Sequence, residues 1–516
     1  MSTRRQFLGW GLRAAAGTVG LGVAGLIGYE WPPGSRRGSP ATTTSTSMPF
    51  SPQLPQDDLS QVYRFYTRPD LQPPRVRTVL SAPSSRFGSA ANSHVLLSPK
   101  AFAGSGPGQW GFMILDGDGN LRWFLPAAKP PFNLQYQQLR GRPVLTWWEG
   151  DVSNGAGAGE AVIADMSFRE LARISEVDGL YPDLHEFHLT EQGTALITAN
   201  HTVATDLSGV GGPRHGYVAG AVAMEVDVAT GKLLHRWESL DHVPVAETYQ
   251  AFSGGTEQVP FNYFHINSIA VAPDGDLLIS GRNTWAVYKV GRSTGQVVWR
   301  LNGKKSDFAM REGSTFHWQH HARPHSGQRL SLFDNGASPA EEPQSRALIL
   351  GVDEEAMACT LERAFVHPAH LLASVQGSVQ LLADGGAVVG WGAEPYFSRF
   401  SSDGELLVDG RFPANIQSYR AFVVELSAAP TDKPAVVVGT NPPGGSSVYV
   451  SWNGATEVNA WRVLAGSKLG QMSTLATVAW ADFETAIAVA STGPYFQVVG
   501  LDRAGREIGR SEVIKA

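Results

Sequence analysis

The sequence predicts an all-β protein in which a large domain of repeated β-hairpins precedes a small C-terminal β-sandwich. Three observations support this prediction: abundant turn-forming residues, a recurring hairpin pattern, and the lack of convincing amphipathic helices. The 516 residues include 57 glycines and 32 prolines, and only 17% are charged. This mixture is typical of chains built from short strands and turns. Hydrophobic residues make up 42%, enough for a substantial core.

The repeated unit is a pair of short apolar runs joined by a turn that contains glycine. Five segments show it, at residues 113–125, 187–199, 269–281, 379–392 and 400–410. Asp-Gly between β-favouring runs is a strong signal for a β-hairpin. Two further segments, 226–237 and 290–301, have a Thr-Gly turn and a tryptophan a few residues later. Repeated hairpins of this kind are typical of β-propeller blades.

The hairpins divide the body of the chain into two predicted domains. Residues 59–432 are predicted to form a six-bladed β-propeller, with blades of roughly 60 residues whose extra length lies in loops. Several β-sandwiches are the alternative for this region. Residues 433–516 have a strand ending at Trp452, a middle strand near Trp461 and a late aromatic strand. This order predicts a fibronectin-III-like or immunoglobulin-like β-sandwich, with a last propeller blade as the alternative.

The N-terminus predicts export from the cytoplasm. Arg4 and Arg5 precede a weakly apolar run, so residues 1–30 resemble a twin-arginine signal. No Ala-x-Ala cleavage site follows, which leaves open a retained helical membrane anchor, and an ordinary short anchor is the alternative. Residues 31–58 are rich in proline, serine and threonine and are predicted to be a disordered linker. The expected partner is the twin-arginine export machinery, and the expected location is the periplasm, the cell surface or the extracellular space.

Charge and cysteine content exclude several classes of function. The net charge of −6 gives no reason to expect nucleic acid or an anionic membrane surface as a partner. A local basic pocket is still compatible with an acidic chain, so an anionic substrate is not excluded. Cys359 is the only cysteine, so neither an internal disulfide nor a cysteine zinc site can form. We predict that it is a small core residue.

Polar and aromatic residues interrupt the strand-like text in six motifs. These are TWWEGD (146–151), DLHEF (183–187), FHINS (264–268), SGRN (280–283), WQHHARPH (318–325) and LFDNG (332–336). In a propeller, distant inner-strand starts converge on the central channel. His265 and Asn267 occupy positions i and i+2, which share one side of a strand, so both are expected in one cavity. A buried structural hydrogen-bonded pair is the alternative.

Two of the motifs have simple structural interpretations. Asp-Asn-Gly at 334–336 is typical of a turn, in which Asn335 or the glycine supplies a positive φ. Trp147 and Trp148 are typical of aromatics in a core or channel wall, where one could stack on an aromatic ligand.

A metal site is the first functional alternative for the histidine-rich motif. His317, His320 and His321 could supply imidazoles, but this spacing lacks the carboxylate or fourth ligand of common zinc motifs. We therefore predict no metal ion, and no other cofactor.

In their fixed order, DLHEF, FHINS, SGRN, WQHHAR and LFDNG resemble the arylsulfotransferases that use no nucleotide sulfate donor. The resemblance covers residues from about 60 to about 510 and is closest to the broad branch of that family. It implies a six-bladed propeller that moves a sulfuryl group from an aryl sulfate ester to a phenolic acceptor through a sulfated histidine. It implies that His320 is the sulfated histidine, that His265 and Asn267 form the H-x-N pair, that Arg282 is the arginine following it, and that His185 is the remaining histidine.

The residue types suit this chemistry. An unprotonated imidazole is a nucleophile near neutral pH, although the doublet leaves open whether it is His320 or His321. Arg282, Asn267 and a protonated histidine would donate to the sulfuryl oxygens, and His265 or His185 would move the proton. The expected substrate-binding residues are Trp147, Trp148, His321, Arg323 and Asn335. The alternatives are a non-catalytic exported propeller that binds a ligand or partner, and an aryl sulfate hydrolase.

Overall fold

The computed structural model describes residues 61–516 except 89, 91, 442–444 and 492, and this part of the chain is all-β, as predicted. Its helices are one α-helical turn, Ser239–His242, and two 3₁₀ turns, Ser208–Val210 and Val245–Glu247. In the described ranges no helix is both long and apolar enough to cross a membrane. The predicted signal or anchor (1–30) and linker (31–58) lie outside the described residues.

Six antiparallel sheets follow one another between residues 77 and 425. In pairing order, sheet 1 contains Ile416–Glu425, Ser93–Ala101, Gly111–Asp116 and Leu121–Pro126; sheet 2 contains Pro131–Leu139, Arg142–Ser153, Ala156–Ala164 and Glu170–Ile174; and sheet 3 contains Phe187–Leu189, Thr194–Thr205, Gly216–Asp227 and Leu233–Glu238. Sheet 4 contains Ile266–Val271, Leu277–Gly281, Ala286–Val290 and Val297–Leu301; sheet 5 contains His320–His325, Arg329–Asp334, Arg346–Asp353, Ala358–Phe365 and the parallel edge strand Ala309–Met310; and sheet 6 contains Ser378–Leu381, Ala387–Gly390, Tyr396–Phe400, Leu406–Arg411 and the edge strand Arg77–Leu80.

The predicted hairpins are present in these sheets. The Asp-Gly turn at 274–275, for example, joins the antiparallel strands Ile266–Val271 and Leu277–Gly281. Gly275 has a φ of 92°, a conformation that costs glycine little but other residues much. The tryptophans that follow the two Thr-Gly turns, Trp237 and Trp299, are buried between sheets.

The six sheets form a closed ring. Each sheet contacts the next through its inner strands, and sheet 6 contacts sheet 1. Between neighbouring sheets lie six hydrophobic clusters, one for each pair, including the pair of sheets 6 and 1. Sheet 1 is built from both ends of the ring, because Ile416–Glu425 pairs with Ser93–Ala101. Burial of apolar surface between sheets therefore holds the ring together at every junction.

The C-terminal region forms two further antiparallel sheets around one hydrophobic cluster. Sheet 7 contains Ala435–Asn441, Gly445–Ser451 and Glu484–Val489; sheet 8 contains Gln471–Ala479, Ala460–Lys468, Tyr495–Leu501 and Glu507–Arg510, with Ile514–Lys515 beside Tyr495–Leu501. The segment before the ring binds this region. The Glu484 carboxylate accepts hydrogen bonds from the backbone amides of Tyr66 and Thr67 at 3.1 and 2.6 Å.

Candidate active site

A cavity lies on the axis of the ring, because its walls come from all six sheets or from the segments that lead into them. Three histidines line it, and we call it the histidine cavity: His185 before sheet 3, His265 before sheet 4 and His320 at the start of sheet 5. The His185 and His265 rings lie 4.7 Å apart between centroids, and those of His265 and His320 lie 6.4 Å apart. The sequence thus predicted three side chains that the fold does bring together.

Hydrogen bonds determine the tautomer of His320: Nδ1 carries the proton and Nε2 keeps its lone pair. Both amide protons of Asn335 are used, since its Nδ2 donates to the carbonyls of Ala373 and Gln376 at 2.9 Å each. Its Oδ1 therefore accepts from Nδ1–H of His320 at 2.7 Å. The Nε2 atom of His320 is left unprotonated, and it accepts a long hydrogen bond of 3.3 Å from the Gln376 amide.

Burial also keeps His320 uncharged. Burial lowers the pKa of His320 well below its ordinary value, and the Arg282 guanidinium lowers it further, against a smaller opposing effect of the Asn335 hydrogen bond. His320 is only 1% exposed. An unprotonated imidazole with a fixed tautomer is the form of histidine that can act as a nucleophile.

The backbone that carries His320 is attached to sheet 4 by side-chain hydrogen bonds. The Nδ2 atom of Asn267 donates to the Gln319 carbonyl at 2.6 Å, and the Ser268 hydroxyl accepts from the Ala322 amide at 3.1 Å. The amide of the Gln319 side chain donates to Ser280 Oγ and to two backbone carbonyls of sheet 4. These contacts explain how a short strand holds an imidazole in a defined position.

His265 reaches the cavity from a left-handed backbone conformation. Its φ is 55°, and it lies one residue before the strand Ile266–Val271. Its Nδ1 accepts from Asn262 Nδ2 at 2.9 Å, which makes Nε2 the protonated nitrogen and a donor. Burial lowers the pKa of His265 well below its ordinary value, helped by the nearby charges of His185 and Arg282.

His185 is held by a buried carboxylate two residues earlier in the chain. Its Nδ1 bonds to Asp183 Oδ2 at 2.5 Å, and Asp183 also accepts from the backbone amides of Gly157 and His185. Burial alone would raise the pKa of Asp183, but His185 and these amides keep it below its ordinary value. The carboxylate therefore fixes the orientation of the His185 ring, as the acid does in a catalytic triad.

The predicted pairing of His265 with Asn267 in one cavity does not occur. Asn267 is fully buried behind the wall, bonded to the Gln319 carbonyl, and does not line the cavity. The alternation rule fails here because the left-handed turn at His265 and a bulge between Ile266 and Ser268 break the regular strand. The structural hydrogen-bonded role, kept as the alternative, describes Asn267.

Arg282 also lies outside the cavity wall, although its charge acts on the histidines inside. Its guanidinium donates to Asn283 Oδ1 at 2.9 Å and to the Ser374 carbonyl at 3.0 Å. The same group lies over the Trp318 ring, 4.8 Å from the centroid. Arg282 therefore acts on His320 and His265 electrostatically from behind the wall.

The remaining predicted residues support the fold around the cavity and do not line it. Trp147 packs between sheets 1 and 2, and Trp148 is fully buried and donates to the Pro182 carbonyl at 2.9 Å. The His321 side chain has different neighbours from that of His320. Its Nδ1 accepts a hydrogen bond from the Val379 amide, and its ring contacts Phe422. Asn335 contacts His320 from behind, as described above.

Arg323 belongs to a second buried group, which we call the buried ion cluster and define as Glu186, Arg323 and Arg420. Glu186 bonds to Arg323 at 2.5 Å and to Arg420 at 2.9 Å. Burial would raise the pKa of Glu186, but the two guanidinium groups lower it to about 2. Arg420 also donates to the His185 carbonyl at 2.6 Å and to the Asn267 carbonyl at 3.2 Å. The cluster thus attaches the backbone of two site segments to the last strand of the ring.

Sequence reasoning missed Asp183, Lys100 and Arg420. Asp183 stands inside the quoted motif DLHEF, and its spacing of two from His185 was the available signal. Lys100 is the one Lys, Arg, Asp or Glu of the strand Ser93–Ala101, and Arg420 lies between Tyr419 and the apolar run 421–424. Charged residues are seldom fully buried without a reason, so such interruptions were the signal that could have found them.

No metal centre was recognised in the described part of the chain, where no group of three His, Cys, Asp or Glu residues could hold a metal ion. The histidine doublet also does not form the alternative metal site, because His320 and His321 have different surroundings.

The fold and the site define a propeller-like protein with a histidine-lined axial cavity. The sequence model of the family "Arylsulfotransferase (ASST)" matches residues 135–413, more than half of the chain, and the chain belongs to this family. Family membership supports an aryl sulfotransferase activity in general, with aryl sulfates and phenols as the class of substrate. No curated protein matches the chain in sequence.

The solved structures that match the chain are distant in sequence. A protein of unknown function from Bacteroides caccae is 14% identical with a TM-score of 0.38, over 65% of this chain and 100% of that one. Virginiamycin B lyase from Staphylococcus aureus is 8% identical with a TM-score of 0.34, over 72% of this chain and 95% of that one. The Dos1 propeller is 13% identical with a TM-score of 0.29, over 66% of this chain and 72% of that one.

Proposed function

We propose that this protein transfers a sulfuryl group from an aryl sulfate ester to a phenolic acceptor through a sulfohistidine at His320. The observation that carries this proposal is the state of His320. Its Nδ1 proton is engaged by Asn335, and its unprotonated Nε2 belongs to a cavity that contains two further histidines. The adjacent His321 has no such access, which supports His320 as the nucleophile of the doublet.

In the first half-reaction, Nε2 of His320 attacks the sulfur of the donor. An N–S bond forms as the bond between sulfur and the aryl oxygen breaks, and that oxygen leaves with the electron pair. The Nε2–H of His265 donates to the sulfuryl oxygens, and the nearby Arg282 charge favours the anionic group. Donors placed in advance where negative charge lies are an effective source of transition-state stabilisation.

His185 manages the proton. With Nδ1–H donated to Asp183, His185 in its protonated form gives the proton on Nε2 to the departing phenolate. In the second half-reaction, the acceptor phenol gives a proton back to His185 while its oxygen attacks sulfur and the N–S bond breaks. Enzyme groups return to their starting state, as general acid–base catalysis requires.

Peptide mapping tests the proposal directly. The protein is incubated with 4-nitrophenyl sulfate without acceptor, digested at neutral pH and examined for the mass of one sulfuryl group. We expect the group on His320, and its loss on addition of phenol. His320→Ala should lower transfer by about ten-thousandfold or more, since removal of a covalent nucleophile has effects of this size.

The adjacent histidine supplies a matched control. His321→Gln should still become sulfated at His320 and keep transferring. Turnover by a protein whose His320 stays unmodified would overturn the mechanism. Release of 4-nitrophenol that does not respond to phenol would indicate the hydrolase, and the lack of any release would indicate the non-catalytic binding protein.

The finer architecture and location are also proposals. The six sheets are the blades of a six-bladed propeller over residues 59–432, a view supported by the ring of contacts and by the clusters between sheets. Residues 433–516 are an accessory sandwich of the fibronectin-III type, supported by the core that sheets 7 and 8 share. The sequence of residues 1–30 supports export by the twin-arginine route, with or without a retained anchor. Fractionation of cells that express the full chain and an Arg4→Lys, Arg5→Lys variant tests the route.

A further inference from the structure

Lys100 is a buried cation in the wall of the histidine cavity. It lies on the strand Ser93–Ala101, directly opposite Gln417 on the last strand of the ring. Both side chains line the cavity, and Lys100 is only 1% exposed. The titratable groups that share the cavity with it are His185, His265 and His320, and Asp183 reaches the cavity only through His185.

The ammonium group of Lys100 has no anionic partner in the described part of the chain. Its Nζ makes neither a hydrogen bond nor an ion pair there, and its recorded contact is with the face of the Phe132 ring, 3.8 Å from the centroid. The Oε1 atom of Gln417 is likewise buried without a hydrogen bond. Buried charges are normally paired, so the Lys100 ammonium group still has hydrogen bonds to donate to a ligand.

Lys289 shows what a buried lysine with a purely structural role looks like in the same protein. It is 6% exposed, and its Nζ lies 2.6 Å from Asp274 and 2.8 Å from Glu354. Burial lowers the pKa of Lys289, but its two carboxylates raise it overall. For Lys100, burial acts alone and lowers the pKa to about 7.

We propose that Lys100 is a substrate-binding residue whose ammonium group pairs with the anionic sulfate-ester group of the donor. The sulfate-ester group of the donor would be the counter-ion of Lys100, and it would lie next to His320, which would accept the sulfuryl group. The identification of this anion as an aryl sulfate rests on the proposed function. The choice of Lys100 rests on geometry: its side chain lines the cavity, and its buried Nζ has no partner in the described part of the chain.

Anion binding by such a lysine is coupled to proton uptake. In the empty site about half of the Lys100 side chains are neutral near pH 7, and pairing with an anion raises the pKa, so neutral lysines take up a proton on binding. Binding should therefore take up close to one proton at pH 8.5 and a smaller fraction at pH 6.5. The affinity should fall as the pH rises above about 7.

The test is calorimetric titration of the full chain with benzenesulfonate, an aryl anion that cannot transfer its sulfo group. Imidazole, Tris and triethanolamine serve as buffers, because sulfonate or phosphate buffers would compete for the site. The dependence of the binding heat on the ionisation heat of the buffer gives the number of protons taken up. We expect the uptake described above for the wild-type protein.

Three variants assign the effect to Lys100. Lys100→Met should bind benzenesulfonate about tenfold to a hundredfold more weakly at pH 6.5 and take up no proton at Lys100, since charge-assisted hydrogen bonds have effects of this size. Lys100→Arg, which stays charged, should bind without the pH-dependent proton uptake. Lys289→Met should match the wild-type protein. Thermal unfolding of each variant verifies that it is folded.

Unchanged affinity and proton uptake in both Lys100 variants would overturn the inference. Inorganic sulfate, titrated in parallel, identifies the source of the anion, and binding as tight as that of benzenesulfonate would overturn the assignment to an aryl ester. The result is separate from the proposed function, because the titration needs no turnover. A Lys100-dependent sulfonate site with no sulfated His320 would end the transferase proposal alone, and transfer with normal binding by Lys100→Met would end this inference alone.

Discussion

The buried ion cluster and the histidine cavity lie close together in this protein and differ in whether their buried charges are paired. In the buried ion cluster, the Glu186 carboxylate is matched by the guanidinium groups of Arg323 and Arg420. In the histidine cavity, Lys100 Nζ has no hydrogen-bonding partner among the residues that the structure describes, and His320 keeps an unprotonated nitrogen. Neighbouring residues of one motif serve both groups: His185 lines the cavity, and Glu186 belongs to the cluster.

The difference separates structural from functional burial. A buried charge is tolerated when partners inside the protein replace the water that it loses. The ion cluster meets that condition, because its carboxylate and its guanidinium groups pair with one another. The cavity does not meet it, because the structure gives the Lys100 ammonium group no partner within the described residues.

Among the tests of this comparison, the largest loss of stability is expected from a substitution in the ion cluster. Glu186→Gln keeps the volume but leaves two buried guanidinium groups without a counter-charge. We expect the free energy of unfolding to fall by about 3–5 kcal/mol, as for other buried pairs that lose one partner. Urea unfolding at pH 7 measures the change.

A surface pair in the same protein is the control for that variant. Glu170 bonds to Arg173 at 2.7 Å, with its side chain 46% exposed. Glu170→Gln should change the free energy of unfolding by less than about 1 kcal/mol, because exposed pairs contribute little. Equal effects of the two substitutions would remove the distinction between the cluster and the surface.

A smaller effect is expected from the residue that sets the tautomer of His320. Asn335→Leu removes the acceptor for Nδ1–H, so the proton can move to Nε2 and block the lone pair. We expect kcat to fall by about a hundredfold with little change in KM, since loss of a tautomer-fixing partner is costly in related catalysts. Steady-state assays with 4-nitrophenyl sulfate and phenol measure this loss.

Asn335→Asp is the informative companion, because it keeps an oxygen that accepts from Nδ1–H of His320. It should retain more kcat than Asn335→Leu, although it loses the two hydrogen bonds to Ala373 and Gln376. Equal losses in both variants would indicate that Asn335 only supports the loop.

The smallest expected effect is a change in the free energy of unfolding with pH. Burial lowers the folded-state pKa of His265 and His320 below the unfolded value near 6.5, so the unfolded chain binds more protons as the pH falls. Their favourable contribution is complete above pH 6.5 and is lost below it, by at most about 1.4 kcal/mol per pH unit for each histidine. Glu186, with its pKa lowered to about 2, contributes stability above about pH 4.5 that is lost as the pH falls towards 2.

Urea unfolding between pH 8 and pH 3 should therefore show two stages of loss. Glu186→Gln should remove part of the lower stage and leave the upper one, whereas His265→Gln should reduce the upper stage. A free energy of unfolding that stays constant from pH 7 to pH 5 would contradict the uncharged state of the buried histidines.

The sequence predicted much of the fold because its signals are local. Asp-Gly turns between apolar runs marked hairpins correctly, and the order of the motifs brought His185, His265 and His320 to one cavity. Asn267 was misplaced because alternation assumes a regular strand, and the left-handed conformation of His265 is not visible in the letters. Trp147 and Trp148 are buried, as the interpretation of core aromatics predicted, and they do not line the cavity in which one was expected to contact a ligand.

Lys100 and Arg420 could not be placed from sequence for a different reason. Their positions depend on the pairing of Ser93–Ala101 with Ile416–Glu425, two strands more than 300 residues apart. No local pattern encodes such a pairing, and the registration of Lys100 opposite Gln417 follows only from the closed ring.

That closure has a consequence for when the protein first becomes competent during its synthesis. A growing chain that stops short of residue 416 lacks Gln417, which completes the wall beside Lys100, and Arg420, which grips the His185 carbonyl. A fragment that ends between residues 321 and 416 would carry His185, His265 and His320 and still lack part of the cavity wall. The cavity is complete only after the strand Ile416–Glu425 has paired with Ser93–Ala101, so its formation depends on closure of the whole ring.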